Sequence, residues 1–343
     1  MRKRRFLRFT KTGVVLTLCA ALLLSGCAGK PVAEEKKSVR IGVSLYRGDD
    51  TFINNIRGEL EERAKAYEQK SGIKVMLDIQ DAKGSQNTQN NQVERFISLG
   101  CDVLCINPVD RMDASVMIDR AMTAGVPVVF FNRQPVEEDM NRWDQLYYVG
   151  VDAKESAVLQ GNIVVSQYRE DPASIDFNGD GKVSYVLLEG ESSHQDSLIR
   201  TEWSIQTLKD GGVPIEKITG GIANWERSQA SALMEQWLET YPGEIEPVVS
   251  NNDDMALGAI DALERAGGQR INLIGIDATT PGQEAVQAGK MLGTVSSDKG
   301  RYAQAILDLS AAKALNQPIQ TDIPLENGKY YWSAQEIVKK VKQ

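Results

Sequence analysis

Between Asp176 and Ser184 the chain reads Asp-Phe-Asn-Gly-Asp-Gly-Lys-Val-Ser, with oxygen-bearing side chains at alternating positions and glycine at the sixth. Calcium takes oxygen ligands at this spacing, and the sixth-position glycine permits the sharp turn. A bidentate glutamate ordinarily completes such a loop at its twelfth position, where this chain has Leu187. Either a carboxylate arrives from elsewhere or the segment is a metal-free Asp/Asn turn. A second set of polar and aromatic residues is spread along the chain: Asp49, Asp50 and Phe52, then Asn132, then His194 with Asp196 and Arg200, then Trp225, Asn251 with Asn252, and Asp277. His194 is the only histidine. Asp, Asn and Arg present planar forks of donors or acceptors, and Phe52 and Trp225 offer flat faces. A ring sugar asks for both, because its hydroxyls lie around an equator and its C–H bonds face up and down. The set suits a neutral polyhydroxylated ligand better than a phosphate or a lipid.

Each residue also has a plainer reading. Asp50, Asp277 and Asn252 stand where helix N-caps belong. Arg200 suits a surface salt bridge, His194 an exposed polar site, and Phe52 the core at a helix start. Shared placement at strand ends favours the functional reading.

The positioning elements follow from periodicity. Val39–Leu45, Ile73–Asp78, Val103–Ile106, Val128–Phe131 and Tyr147–Asp152 read as strands. Between them, Phe52–Lys70, Thr88–Leu99 and Ala114–Ala124 carry helical spacing. A second cycle runs through helix Lys154–Arg169, strand Val183–Leu188, and helices Ile199–Asp210 and Ser228–Thr240. It continues with strand Pro247–Ser250, helix Met255–Ala266, strand Ile271–Ile276 and helix Gln283–Ala288. Strand Leu292–Ser296 and helix Arg301–Leu315 remain to complete one or both sheets. Alternation of this kind gives parallel sheets covered on both faces, with ligands bound beyond the carboxyl ends of the strands. Two α/β domains divided near residue 150, with a ligand cleft between them, are predicted.

The chain has 343 residues, a length suited to two domains, and 25% charged residues. Arg2, Lys3, Arg4, Arg5, Arg8 and Lys11 precede an apolar run from Val14 to Leu24, and Leu24-Ser25-Gly26-Cys27 follows. This is the layout of a secretory signal, and its last four residues resemble the bacterial lipoprotein signal, with Cys27 as the lipidated residue. Residues 28–37 read as a polar tether. Removing the signal takes away those six positive charges, so a net charge of −8 becomes −14, which argues against nucleic acid and anionic lipid as partners. Cys101 and Cys105, four apart along a strand, are too distant to bridge and read as buried apolar residues.

Catalytic signatures are weak. Asp50, Asp196 and Asp277 could be imagined as glycosidase carboxylates, but nothing isolates one of them as a proton donor. No nucleophile elbow, phosphate loop or His-rich metal motif occurs.

The order of blocks is more specific. Ile41-Gly42-Val43 with Asp49-Asp50-x-Phe52, Pro127–Asn132, Tyr147–Asp152 with Lys154-Glu155-Ser156, the loop at 176, Gly190-Glu191-x-x-His194-x-Asp196 with Arg200, and Asn251-Asn252-Asp253 together resemble the periplasmic galactose/glucose-binding proteins of bacterial ABC sugar importers. The resemblance implies an α/β fold of periplasmic binding protein type I: two doubly wound parallel-sheet domains with a three-segment hinge, crossing near 150, 298 and 330. The expected division is 1–27 signal, 28–37 tether, 38–150 plus 299–330 first lobe, and 151–298 plus 331–343 second lobe. It also implies sugar contacts from Asp50, Phe52, Asn132, His194, Asp196, Arg200, Trp225, Asn252 and Asp277, with Phe52 and Trp225 sandwiching the ring. Ser297 stands where the family has a sugar-binding asparagine. A structural calcium would be held by Asp176, Asn178, Asp180, the Lys182 carbonyl, Ser184 and Glu246, with Ser184 replacing a longer amide. Expected partners are a galactose or glucose monosaccharide, an ABC permease, a chemoreceptor if the chain senses instead of transports, and the membrane through the lipid anchor. The protein would be a non-enzymatic, extracytoplasmic monomer. A LacI-type repressor core shares the fold, but the signal and the lack of a basic helix-turn-helix argue against it.

Overall fold

A computed structural model describes residues 36–319 and 323–340; the signal, Cys27 and most of the tether lie outside the described residues. The first lobe begins with β1 (Ser38–Leu45), α1 (Thr51–Ser71), β2 (Lys74–Asp81), α2 (Gln86–Ser98) and β3 (Val103–Ile106). It continues with α3 (Ser115–Ala124), β4 (Val128–Phe131), α4 (Glu137–Met140) and β5 (Leu146–Gly150). The second lobe holds α5 (Ala153–Glu170), β6 (Val183–Glu189), α6 (Gln195–Asp210), β7 (Ile215–Ile222) and α7 (Arg227–Thr240). β8 (Pro247–Ser250), α8 (Asp253–Arg265), β9 (Asn272–Ile274), α9 (Thr280–Gln287) and β10 (Thr294–Ser297) follow. The chain then recrosses for α10 (Lys299–Ala314) and β11 (Tyr330–Trp332) and returns for β12 (Gln335–Val338).

The first sheet has the order β11-β5-β4-β3-β1-β2, parallel throughout. Because successive strand side chains face opposite ways, β4 feeds two cores. Val129 and Phe131 pack with Ile53, Ile56 and Leu60 of α1 and with Tyr302 and Ile306 of α10. Val128 and Phe130 pack with Phe96, Ile118 and Tyr148 on the other face. Burial on both sides is why β3 and β4 are continuous apolar runs. The second sheet runs β7-β6-β8-β9. β10 joins β9 through Leu292 N–H to Leu273 O and Asp277 N–H to Val295 O, both 2.8 Å, and β12 closes the edge antiparallel to β10.

Four elements escaped the sequence reading, the single-turn α4 and three strands. β7 is an edge strand, Ile-Glu-Lys-Ile-Thr-Gly-Gly-Ile, mostly half-buried or exposed, so it lacks the apolar run that marks a central strand. β11 and β12 are three and four residues long, too short for periodicity to register. They also move the last crossing. With the boundary set at 330, Tyr331 and Trp332 would join the second lobe, yet they pair with Val149 and Gly150 of the first sheet. Trp332 also packs edge-on to Tyr148 at 5.4 Å. The crossing lies at Ser333–Ala334, between β11 and β12. Cys101 and Cys105 are free and buried.

Candidate functional site

The carboxyl ends of both sheets open on one cleft with about 460 Å³ of empty space, its mouth included, the common position for a small-molecule site. From the first lobe, Asp50 reaches it as the N-cap of α1, accepting from Ile53 N–H at 2.9 Å through one oxygen and from Tyr46 Oη at 2.5 Å through the other. Phe52 follows, half-buried, edge-on to Tyr302 at 6.1 Å between ring centres. Asn132 leaves β4 in the left-handed region, at φ 62°, which asparagine tolerates better than most residues. Its N–H donates to Tyr302 Oη at 2.8 Å, its carbonyl accepts from Tyr148 Oη at 2.8 Å, and its side-chain oxygen accepts from Asn107 Nδ2 at 3.1 Å.

From the second lobe, α6 and α8 aim their N-termini at the cleft. His194 caps α6 by accepting from Asp196 N–H through Nδ1 at 3.1 Å. That bond requires the neutral tautomer with the proton on Nε2, and burial, with Arg133, Arg200 and Arg111 nearby, holds the imidazole well below its usual pKa. Asn252 caps α8 through Met255 N–H at 3.0 Å. Arg200 lies between two buried carboxylates, 3.2 Å from Asp196 and 3.6 Å from Asp277, and donates to Asn251 O at 3.0 Å. Burial pushes Asp196 and Asp277 upward, opposed in each by Arg200. Arg200 Nε and Trp225 Nε1 are buried with no hydrogen-bond partner among the described residues, the condition in which a polar ligand is worth most.

Local backbone strain serves two of these residues. Asp277 and Ala278 have φ of 109° and 43°, and Lys299 Nζ secures the turn by donating to both carbonyls at 2.7 and 3.1 Å. Asn224 and Trp225 have φ of 51° and 66°, and the Trp225 ring lies against Gly190, where a Cβ would come within 2.2 Å of it. Strain held in place by its surroundings is common at ligand sites.

The loop at 176 lies at the far end of β6. Asp176 accepts from Gly179 and Gly181 N–H at 2.7 and 3.1 Å, Asn178 from Asp180 N–H at 2.8 Å, and Asp180 from Lys182 N–H at 2.8 Å. Glu246, 1% exposed, meets this loop and accepts from Phe177, Asn178 and Ser184 N–H at 2.5, 3.3 and 2.8 Å. It has no ion-pair partner among the described residues. A buried carboxylate bonded only to neutral donors favours a nearby cation. Among the described residues no group of three or more His, Cys, Asp and Glu side chains is gathered closely enough to hold a metal by itself. A cation here would need the Asn178 amide, the Lys182 carbonyl and Ser184 as well.

The family model for a periplasmic binding protein domain matches residues 41–318. The chain belongs to the periplasmic binding protein family. It is 35% identical over 301 residues to the D-galactose/methyl-galactoside binding periplasmic protein of Haemophilus influenzae, covering 88% of each chain. It is 32% identical over 320 residues to a putative rhizopine-binding protein of Rhizobium meliloti, covering 91% of this chain and 94% of the other. Among solved structures, a Bacillus halodurans ABC transporter solute binding protein with bound myo-inositol superposes with a TM-score of 0.71 at 30% identity, covering 90% of this chain and 96% of that one. The type I fold of periplasmic binding proteins accounts for both parallel sheets and the recrossing chain.

In this binding protein the cleft brings together Asp50, Phe52, Asn132, His194, Asp196, Arg200, Trp225, Asn252 and Asp277. Asp50 and Asn252 are caps and cleft residues at once, whereas Asp277 caps nothing, since Thr279 caps α9. Ser297 does not line the cleft. It ends β10 at the hinge, in a groove with Ala334 and Gln335, and its buried Oγ has no partner among the described residues. The sequence reading missed Tyr46, Arg133, Val151 and Tyr302 as lining residues. Tyr46 and Arg133 each directly follow a strand end or a named site residue, a signal that was there to use, whereas Val151 lay inside the strand read as Tyr147–Asp152. Tyr302 comes from α10 after the chain recrosses, and nothing local marks it.

Proposed function

We propose that this protein captures a monosaccharide, D-galactose or D-glucose, in the interlobe cleft outside the cytoplasm and delivers it to an ABC permease, without catalysis. The observation that carries this reading is the cleft's chemistry: Arg200 between two carboxylates, amide and imidazole groups around an edge, and Phe52 and Trp225 as aromatic faces. Such a site matches several hydroxyls at once and leaves buried groups unpaired against a ligand that lacks one. Hexose binding by the Haemophilus relative supports the choice of sugar, and the relatives named for ribose and xylose set the nearest competitors. Binding would close the lobes, because only the closed form makes both sets of contacts. No described helix is long and apolar enough to cross a membrane; attachment through lipid on Cys27 remains part of the proposal.

Titration calorimetry of the purified protein with D-galactose, D-glucose, D-xylose and D-ribose tests the assignment. Micromolar or tighter binding of a hexose is expected, and no heat with any of the four would sink it.

A calcium ion at the 176 loop completes the proposal. Asp176, Asn178, Asp180, the Lys182 carbonyl, Ser184 and Glu246 would hold it. The ion would supply positive charge to Glu246 and tie the start of β6 to β8. Adding a chelator should lower the melting temperature by several degrees and calcium should restore it; an unchanged melting curve identifies a metal-free turn.

A further inference from the structure

We propose that Arg133 and Glu191 are positioning residues for closure, an ion pair across the cleft that holds the lobes together and sets how slowly a bound ligand leaves. Arg133 Nη1 and Nη2 donate to Glu191 Oε2 and Oε1, both at 2.8 Å. Two parallel bonds of this kind fix orientation as well as distance. Arg133 follows β4 in the first lobe and Glu191 follows β6 in the second, and the lobes are joined by chain only at the three crossings. Opening about those crossings must break the pair.

Arg133 is built into place for this task. Its guanidinium carbon lies 3.8 Å from the centre of the Tyr46 ring, Nη1 also donates to Val109 O at 2.9 Å, and the side chain is 5% exposed. Both terminal nitrogens are therefore committed to protein acceptors, as they are in Arg200, but only those of Arg133 reach across from one lobe to the other. The pair is also fused to the site on both sides. Arg133 directly follows Asn132, and the Tyr46 ring beneath it donates through Oη to Asp50. Glu191 O accepts from His194 N–H at 3.1 Å, so the carboxylate and the ligand-facing imidazole share one turn. Any motion that brings Asn132 and Asp50 up to a ligand held by His194 also brings Arg133 to Glu191.

Other contacts across the cleft repeat the pattern. Arg47 of the first lobe pairs with Glu226 of the second, and Gln195 Nε2 donates to Asn132 O at 3.2 Å. In both ion pairs the cation belongs to the first lobe and the carboxylate to the second, so closure is attractive at two points. Arg47 and Glu226 are 23% and 31% exposed and more open to screening, which makes Arg133–Glu191 the stronger of the two.

The effect on ligand release rests on the sugar-binding reading above, whereas the effect on shape does not. Small-angle X-ray scattering of ligand-free protein, wild type against Glu191→Gln, tests the shape directly. The substitution keeps size and removes charge, and a larger radius of gyration is expected. Stopped-flow release of D-galactose should be about ten-fold faster in Glu191→Gln, with association changed less. Arg133→Met should match it in both measurements, and combining the two substitutions should add little to either alone, as partners in one contact require. A radius of gyration in Glu191→Gln equal to that of the ligand-free wild type overturns the inference, whether or not a sugar binds. A shift in scattering without any D-galactose binding by the wild type would instead support the pair and overturn the choice of sugar.

Discussion

On the first lobe Asn132 is presented to the cleft through neutral contacts, with Tyr302 Oη, Tyr148 Oη and Asn107 Nδ2 fixing its backbone and amide. On the second lobe Arg200, Asp196 and Asp277 are all buried and hold one another by charge. The difference bears on what each face can do. Neutral hydrogen bonds net about 1 kcal/mol each and tolerate adjustment, whereas a buried carboxylate that loses its partner costs several. The second lobe thus carries a rigid, polarised surface suited to recognising the ligand, and the first lobe supplies a cover that docks onto it. The two stacking residues follow the same division: Trp225 is 7% exposed and part of the second-lobe core, while Phe52 is half-buried at the first turn of α1.

The sharpest way to break this comparison is Arg200→Met. It strands Asp196 and Asp277 together in a buried site, so folding stability should fall by about 3–5 kcal/mol at neutral pH and hexose binding should vanish. Urea denaturation measures the first and calorimetry the second. A loss in stability below about 1 kcal/mol would mean that water reaches the second-lobe carboxylates and that the two faces differ little.

Charge buried behind the second face should also show in pH dependence. Asp253 is fully buried and accepts from Thr294 Oγ1, Thr279 N–H and Thr279 Oγ1 at 2.6, 2.8 and 3.3 Å; burial pushes its carboxyl up to about 7. An aspartate in the unfolded chain titrates near about 4. Between those values the folded protein binds the extra proton, so stability falls as pH rises from about 4 to 7 and levels off above. Asp253→Asn, whose amide can donate to Thr294 Oγ1 as the protonated acid would, should remove a decline on the order of 2–4 kcal/mol. Asp196 and Asp277 are shifted in the same direction and would leave part of the slope. Denaturation midpoints at pH 4.5 and 7.5 measure it, and an identical slope in the variant would remove Asp253 as its source.

The fold was legible because both lobes bury their sheets on two faces: Val103–Ile106 and Val128–Phe131 could be little else than central parallel strands. At the sheet edges β2 was read as Ile73–Asp78, but β7, with three charged or polar residues among glycines, gave no such signal. The cleft was legible where a strand end and a planar side chain coincide, as at Asn132 and Asn252. It was not legible where tertiary contact decides. The pairing of Arg133 became visible only through its contacts with Tyr46 and Glu191, and Tyr302 only through the recrossing of α10. Ser297 shows the reverse failure, since its place at the end of β10 resembles that of the cleft residues while it lies in the hinge groove with Ala334 and Gln335.

The aromatic pair sharpens the comparison further. Trp225→Ala should weaken hexose binding about 100-fold, and Phe52→Ala about 10-fold, because the buried indole loses more contact than the half-exposed ring. Calorimetry on both variants decides it, and a larger loss at Phe52 would move the principal stacking face to the first lobe.

The smallest effect expected is at Tyr302→Phe, which tests the neutral half of the comparison alone. Tyr302 Oη accepts from Asn132 N–H at 2.8 Å and donates to Val149 O at 2.9 Å, so one hydroxyl links the end of β4 to the end of β5. Its ring packs in the first-lobe core, and phenylalanine preserves that packing. Asn132 N–H and Val149 O also bond each other at 3.1 Å, so removing the hydroxyl leaves neither without a partner and should cost about 1 kcal/mol in stability or less. Asn132 would keep its contacts to Tyr148 and Asn107, so hexose affinity should drop by no more than about 10-fold. If the first lobe is an adjustable cover, dissociation should quicken while association stays near wild type, since docking the cover is the late step. A loss of affinity as large as that in Arg200→Met would show instead that Asn132 is as rigidly required as the charged face opposite it.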